Sequence, residues 1–256
     1  MQAKCKVFED MNYNMTVGVY GLGRFGIFWA EALARYFKVK VFSRTRRESL
    51  PTQLSWVEEE ELCQSEALFF CVAISSFAEV ISRTKGLIDN KTVVFDTCSV
   101  KVYPSQIMER ELAPSVQVIA THPMFGPDSA RHGLKGLPLV FTPLRAKKET
   151  ISFWEDFFKR IGLNIIHMTP EEHDREAAFT QGITHYIGRV LADLNLKPSS
   201  IGTLGYRKLL EIVEQTCNDP WQLFLDIQNY NPYTKEMRLR LHDSLEKIYH
   251  VLEKGE

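Results

Sequence analysis

Three short stretches carry side chains able to move a proton. They are DTCSVK (96–101) with Ser99, THPMFGP (121–127) with His122, and QGITH (181–185) with Gln181, Thr184 and His185. A neutral imidazole has a reference pKa of about 6.5, so His122 can take a hydroxyl proton near neutral pH. A well-placed base of this kind contributes about 10² to 10⁴ in rate. A histidine just before a proline can equally do no more than cap backbone groups. Ser99 can hydrogen-bond the same hydroxyl, and serine is also a favoured helix N-cap. Gln181 and His185 lie four apart and share a helix face, with Thr184 beside them.

A fourth stretch, VGVYGLGRFG (17–26), holds no acid or base on its glycines but spaces Gly21, Gly23 and Gly26 as GxGxxG between a strand-like run and a helical one. In that setting Gly21 permits a tight turn, Gly23 lets the backbone approach a pyrophosphate, and Gly26 lets the helix pack closely on the strand. About 20 residues further on, an NAD enzyme usually places an acid for the ribose 2'-hydroxyl. Here the run after VKVF reads Ser43-Arg44-Thr45-Arg46-Arg47. The guanidinium of Arg44 and the hydroxyls of Ser43 and Thr45 suit a 2'-phosphate, so the expected cofactor is NADP, with NAD second. An exposed basic turn would also explain the arginines.

These residues need a scaffold that sets them at strand ends. From Met15 to Met168, β-rich runs alternate with helical lengths: MTVGVY, Arg24 to Phe37, VKVF, ALFFCVA, a helix ending near Gly86, TVVFD, a helix-forming stretch, and VQVIAT. That order predicts an α/β fold, a Rossmann-type doubly wound, mostly parallel sheet. LPLVF (137–141) and NIIHM (164–168) flank ISFWEDFFKRI and are expected to extend the sheet. Thr169-Pro170-Glu171-Glu172 then supplies an N-cap, a first-turn proline and a capping-box glutamate. No strand signal follows, and breaks at 195–200, 218–220 and 231–232 cut the remainder into about four helices. We divide the chain into a dinucleotide-binding domain, 1–168, and a helical substrate and dimerisation domain, 169–256. Glu58 to Glu61 reads as a solvated helix face.

Composition narrows the function class. The 256 residues carry 31 Lys+Arg against 32 Asp+Glu, a net charge of -1, with 45% hydrophobic and 25% charged residues. Proteins that coat nucleic acid or an anionic membrane need a basic face, so neither partner is expected, and small-molecule chemistry leads. The five cysteines, Cys5, Cys63, Cys71, Cys98 and Cys217, form no CxxC pair, which argues against a bridge framework or a metal site and for a reducing compartment. The first fifteen residues mix charges with scattered apolar side chains, unlike a signal peptide, and ALFFCVAI is far short of the roughly 20 residues of a membrane span. A cytoplasmic protein is expected.

Taken together, GxGxxG, DTCSVK, THPMFGP, EEHD (171–174) and QGITH resemble, in type and order, the prephenate/arogenate dehydrogenase family of tyrosine biosynthesis, and the HPMFGP wording is closest to its arogenate dehydrogenases. The resemblance implies oxidative decarboxylation of a cyclohexadienyl dicarboxylic acid, with hydride passing to the nicotinamide and loss of CO2 making the ring aromatic. It implies that His122 is the base and that Ser99 bonds the reacting hydroxyl and approaches the nicotinamide. His185, with Gln181 and Thr184, would line the substrate side. Leu22, Arg24 and Phe25 within the glycine turn would meet the cofactor, as would Cys71, Pro123 and Met124 at later strand ends. Lys101, His173 and Asp174 would be structural.

The chain departs from the prephenate-type pattern in GYRKLLEI (205–212), where Leu210-Glu211 stands at the place of a Thr-Arg pair whose arginine grips a substrate carboxylate. Arg207, one turn earlier, is the substitute we expect. Asp219 in NDPW could face the side-chain ammonium of arogenate, for which prephenate's keto acid has no counterpart. It could equally cap the helix that follows. Ile212, Val213, Leu223, Phe224, Leu225, Leu239, Leu241 and Leu245 exceed what a four-helix fragment needs, and a homodimer through these helices is expected. Two competing readings remain: another Rossmann hydroxy-acid dehydrogenase, disfavoured because no lysine lies between Asp174 and Leu196, and a binding protein that senses NADP without turnover.

Overall fold

A computed structural model describes residues 13–255; Cys5 and most of the segment read against a signal peptide lie outside the described residues. The strands are β1 (Thr16–Tyr20), β2 (Lys38–Phe42), β3 (Leu54–Trp56), β4 (Ala67–Phe70), β5 (Val93–Asp96), β6 (Gln117–Pro123), β7 (Pro138–Arg145) and β8 (Asn164–Ile166). They form one sheet in the order β3-β2-β1-β4-β5-β6-β7-β8. All neighbours pair in parallel except β6 and β7. The helices of this region are α1 (Arg24–Leu33), α2 (Glu59–Cys63), α3 (Ile74–Thr84), α4 (Val102–Glu111) and α5 (Lys148–Arg160).

Buried on both faces, the central strands read as unbroken apolar runs rather than as an alternation. On one face, Phe69 and Phe95 stack at 4.3 Å between centroids, and Trp154 of α5 stands edge-on to both at 5.6 and 4.9 Å. Trp29 of α1 joins them against Phe158. Each such aromatic pair adds about 0.5–1.5 kcal/mol beyond the area it buries. On the other face Phe77 of α3 meets Phe70.

Three details differ from the sequence reading. β3 was not foreseen; it is only three residues long and takes its place by pairing with β2. α1 stops at Leu33 rather than Phe37, because the chain must turn there to enter β2. Within Glu58–Glu61 only Glu59 leaves the solvent. It accepts hydrogen bonds from Tyr20 Oη and from Arg83 Nε, the latter at 3.1 Å; burial, with the bond to Glu59, pushes the Tyr20 phenol up to about 12, and Arg83 opposes this.

After β8 the chain is helical: α6 (Pro170–Ala177), one π-helical turn (Ala178–Gly182), α7 (Ile183–Asp193), α8 (Leu204–Cys217), α9 (Trp221–Tyr230) and α10 (Thr234–Lys254). The capping box forms as read, with Glu172 N donating to Thr169 Oγ1 at 3.2 Å and Thr169 N to Glu172 Oε2 at 2.8 Å. Such a cap is worth about 1 kcal/mol. α7 lies close on α8 because Gly188 has no side chain, and a Cβ there would stand 2.1 Å from Thr216 Oγ1. Among the described residues no helix is long and apolar enough to cross a membrane.

The chain divides into two compact units. One runs through Val72 and takes Ser76–Cys98 and Pro104–His167; the other takes Ala73–Ser75, Ser99–Tyr103 and the residues from Met168 onward. Ser99 therefore belongs with the helices, not with the sheet.

Candidate active site

In the sheet unit the glycine turn follows β1 directly. Gly21 takes φ +97°, a conformation that disfavours any Cβ, and its N–H donates to Phe42 O at 2.8 Å. A Cβ on Gly26 would stand 1.9 Å from the Gly21 carbonyl oxygen, so no other residue fits without moving backbone. Gly23 is different in kind: a Cβ there meets nothing within 4 Å, and as N-cap of α1 it offers no side-chain acceptor to the first-turn N–H groups. An open backbone at the positive end of a helix is what a pyrophosphate requires, and these residues fit a dinucleotide.

Around the turn, Leu22 is buried, Phe25 stacks on Trp29, and Arg24 pairs with Asp128. Cys71 lies against the turn, and burial pushes its thiol up to about 12, so it is a neutral packing group. Beyond β2, Ser43 Oγ donates to Thr45 O at 2.7 Å, shaping a tight turn from which Arg44 and Arg47 stand exposed. Arg46 lies over the Trp56 ring at 5.4 Å.

His122 sits near the end of β6, 2% exposed, opposite Val140 of β7. Its backbone is fixed by a buried carboxylate that the sequence reading had not singled out. Asp96 Oδ1 accepts from Thr121 N at 3.0 Å and Oδ2 from Cys98 N at 3.1 Å, while Thr121 Oγ1 donates to Asp96 O. The ends of β5 and β6 are thus tied together. Pro123 ends β6, and Met124 N donates to Pro138 O at 3.0 Å.

In the helical unit, Ser99 is half-buried three residues before α4, so it is not that helix's N-cap. Asp174 does that work. Its two carboxylate oxygens accept from Lys101 N at 2.6 Å and Val102 N at 2.9 Å, and His173 Nδ1 lies 2.8 Å from one of them. Lys101 is wholly buried. Asp226 of α9 acts in the same way at the start of α3, accepting from Ser75 N at 3.1 Å and Ser75 Oγ at 3.0 Å.

The remaining expected residues lie in the π-helical turn, on α7, on α8 and in the turn between α8 and α9. Thr184 Oγ1 donates back to Thr180 O at 2.8 Å. His185 is 7% exposed, and its Nε2 lies 3.9 Å from Asp219 Oδ2. Burial pushes the imidazole below its ordinary range; Asp219 opposes this and Arg189 adds to it, so His185 is neutral at pH 7. The N-cap position of α9 is Pro220, one residue after Asp219. Gln181 Oε1, His185 Nδ1 and Arg189 Nε are buried without a hydrogen-bond partner. A π-turn spans Gln181 just before His185, a distortion common at functional positions. Arg207 stands exposed on α8. Arg189, four residues after His185, was missed, although its spacing on the same face was there to be read.

The comparisons with known proteins bear on the family and the fold. Residues 47–167 match the family model for the prephenate dehydrogenase nucleotide-binding domain, and residues 190–256 match the TYRAAT1-like C-terminal domain. The chain is 30% identical over 246 residues to arogenate dehydrogenase 2, chloroplastic, of Arabidopsis thaliana, covering 91% of this chain and 69% of that protein. With arogenate dehydrogenase 1, chloroplastic, of the same plant the identity is 31%, and the match covers 91% of this chain but only 38% of that longer protein. Among solved structures, Aquifex aeolicus prephenate dehydrogenase in complex with hydroxyphenyl propionate and NAD+ gives a TM-score of 0.72 at 16% identity, covering 96% of this chain and 93% of that one. Synechocystis arogenate dehydrogenase gives 0.66 at 17%, covering 94% and 93%.

Proposed function

The chain belongs to the prephenate/arogenate dehydrogenase family, and from that premise we propose that it is an NADP-dependent dehydrogenase that oxidatively decarboxylates arogenate in preference to prephenate. The observation that carries the substrate choice is the carboxylate of Asp219 turned toward a neutral His185. A carboxylate beside a neutral imidazole carries a negative charge that attracts an ammonium. Arogenate has one and prephenate does not, so the pair discriminates by attraction to one substrate rather than by shape.

Bound NADP would supply the hydride acceptor. The chain's own residues do the rest. His122 takes the proton of the ring hydroxyl as carbonyl character develops, and Ser99 hydrogen-bonds that hydroxyl. Gln181, Thr184 and His185 orient the substrate, and its amine meets Asp219. Gly21, Gly23 and Gly26 would let the first turn of α1 hold the pyrophosphate. Arg44, with the Ser43–Thr45 turn, favours the 2'-phosphate, since a planar guanidinium beside a phosphate forms charge-assisted hydrogen bonds.

A homodimer through the helical unit is part of the proposal. Leu239 and Leu245 are exposed on α10, as are Ile248 and Leu252, whereas Ile212, Val213, Leu223, Phe224, Leu225 and Leu241 are half-buried. A cytoplasmic setting is also proposed, supported by four free cysteines among the described residues. The test is NADPH formation with arogenate and with prephenate, side by side, followed by the same assay with NAD. Turnover of arogenate at the higher kcat/KM with NADP is expected, and no turnover of either substrate would overturn the reading.

A further inference from the structure

We propose that Arg189 is the positioning residue for substrate choice: it grips the turn between α8 and α9 and thereby fixes where Asp219 meets the substrate amine. The inference rests on the reading of Asp219 given above.

Arg189 Nη2 donates to two backbone carbonyls, Thr216 O at 2.9 Å and Asp219 O at 2.7 Å. The first belongs to the last turn of α8, whose carbonyls have no partner within the helix and favour a cation. The second is the carbonyl of Asp219 itself. The guanidinium also lies over Trp221 at 5.1 Å and Phe224 at 5.8 Å, at the start of α9. One side chain thus holds the end of one helix, the residue in question and the beginning of the next. It can reach them because Gly188 lets α7 approach Thr216 so closely.

His185 lies one turn before Arg189 on α7, so the same helix presents the imidazole to the Asp219 carboxylate and the guanidinium to the Asp219 carbonyl. The backbone and the side chain of Asp219 are referenced to one rigid element. The positive charge of Arg189 also adds to burial in holding the His185 imidazole below its ordinary range.

Stability alone is a poor reason for this residue. Its Nε is buried without a partner, and an unmatched donor on a charged group is costly. An aliphatic side chain between Trp221 and Phe224 would pack without that cost. What it could not do is donate to the two carbonyls.

The test measures kcat/KM for arogenate and prephenate at saturating NADP in the parent protein, Arg189→Met, Arg189→Lys and Asp219→Asn. Arg189→Met is expected to lower the arogenate-to-prephenate ratio by about tenfold, chiefly by raising KM for arogenate. Arg189→Lys keeps donors but loses the planar fork and the stacking, so it should restore part of the ratio. Arg189→Met added to Asp219→Asn should cost little more than Asp219→Asn alone. A ratio unchanged in Arg189→Met, or equal losses on both substrates, overturns the inference. Should Arg189→Met fail to fold, Arg189→Gln is read by the same criteria. A parent protein that prefers prephenate or turns over neither substrate removes the reading of Asp219, whereas a parent that prefers arogenate with an indifferent Arg189→Met removes only this inference.

Discussion

In the proposed function the glycine turn after β1 and the His185–Asp219 pair would recognise their ligands by opposite means. At the turn the work is done by backbone and by the absence of side chains: Gly21 in a left-handed conformation, Gly26 with no room for a methyl group, and Gly23 open. In the helical unit it would be done by side chains drawn from the π-helical turn, α7 and the α8–α9 turn, and three of them keep buried polar atoms without partners. A steric solution tolerates almost no substitution but cares little about charge. An electrostatic one tolerates changes of shape and is sensitive to a single proton or amine.

The largest effect is expected at neither place but at the proposed base. His122→Asn should lower kcat by about 10² to 10⁴ and leave NADPH binding, followed by fluorescence titration, near that of the parent protein. Retention of most of the rate would remove His122 from the proposed chemistry.

Next come the glycines, which separate steric from ligand effects. Gly26→Ala must displace the Gly21 carbonyl and should cost about 1–3 kcal/mol or more in thermal unfolding, along with cofactor binding. Gly23→Ala meets nothing in the fold, so its melting temperature should hold while NADP affinity falls. Equal melting losses in both variants would break the distinction drawn between them.

Arg44→Ala should be milder. Losing a charge-assisted bond to the 2'-phosphate costs about 1.5–3 kcal/mol, or roughly ten- to a hundredfold in kcat/KM for NADP, with little change for NAD. Equal losses on both cofactors would point to the exposed basic turn instead.

The smallest effect concerns pH. The pKa of His185 is depressed in the folded protein, so the native state binds fewer protons than the unfolded chain as pH falls below about 6.5. This group's contribution is present above the unfolded value and is lost as pH falls toward the folded one. His185→Gln should therefore flatten the decline in melting temperature between pH 7 and pH 5, a difference that parallel melts can resolve.

Much of the sheet and of the glycine turn was legible in the sequence because both obey local rules: apolar runs make buried strands, and GxGxxG after a strand makes a tight turn. β3 was not legible, since three residues carry too little pattern to stand out. The capping carboxylates Asp174 and Asp226 show a different limit. Asp174 looked like a residue of its own helix, yet it serves Lys101 and Val102, and Asp226 serves Ser75, 151 positions away. A contact that closes only on folding leaves no local signature. Arg189 lies between these extremes, visible as the next residue on the His185 face, but without meaning until the α8–α9 turn was in place.

The most direct measurement of the account is the arogenate-to-prephenate ratio of kcat/KM at saturating NADP in the parent protein and in Asp219→Asn. The account predicts a ratio of about ten or more in the parent, equivalent to about 1.4 kcal/mol in the transition state, falling toward one in the variant. A ratio that is the same in both proteins, or a parent that prefers prephenate, would contradict it.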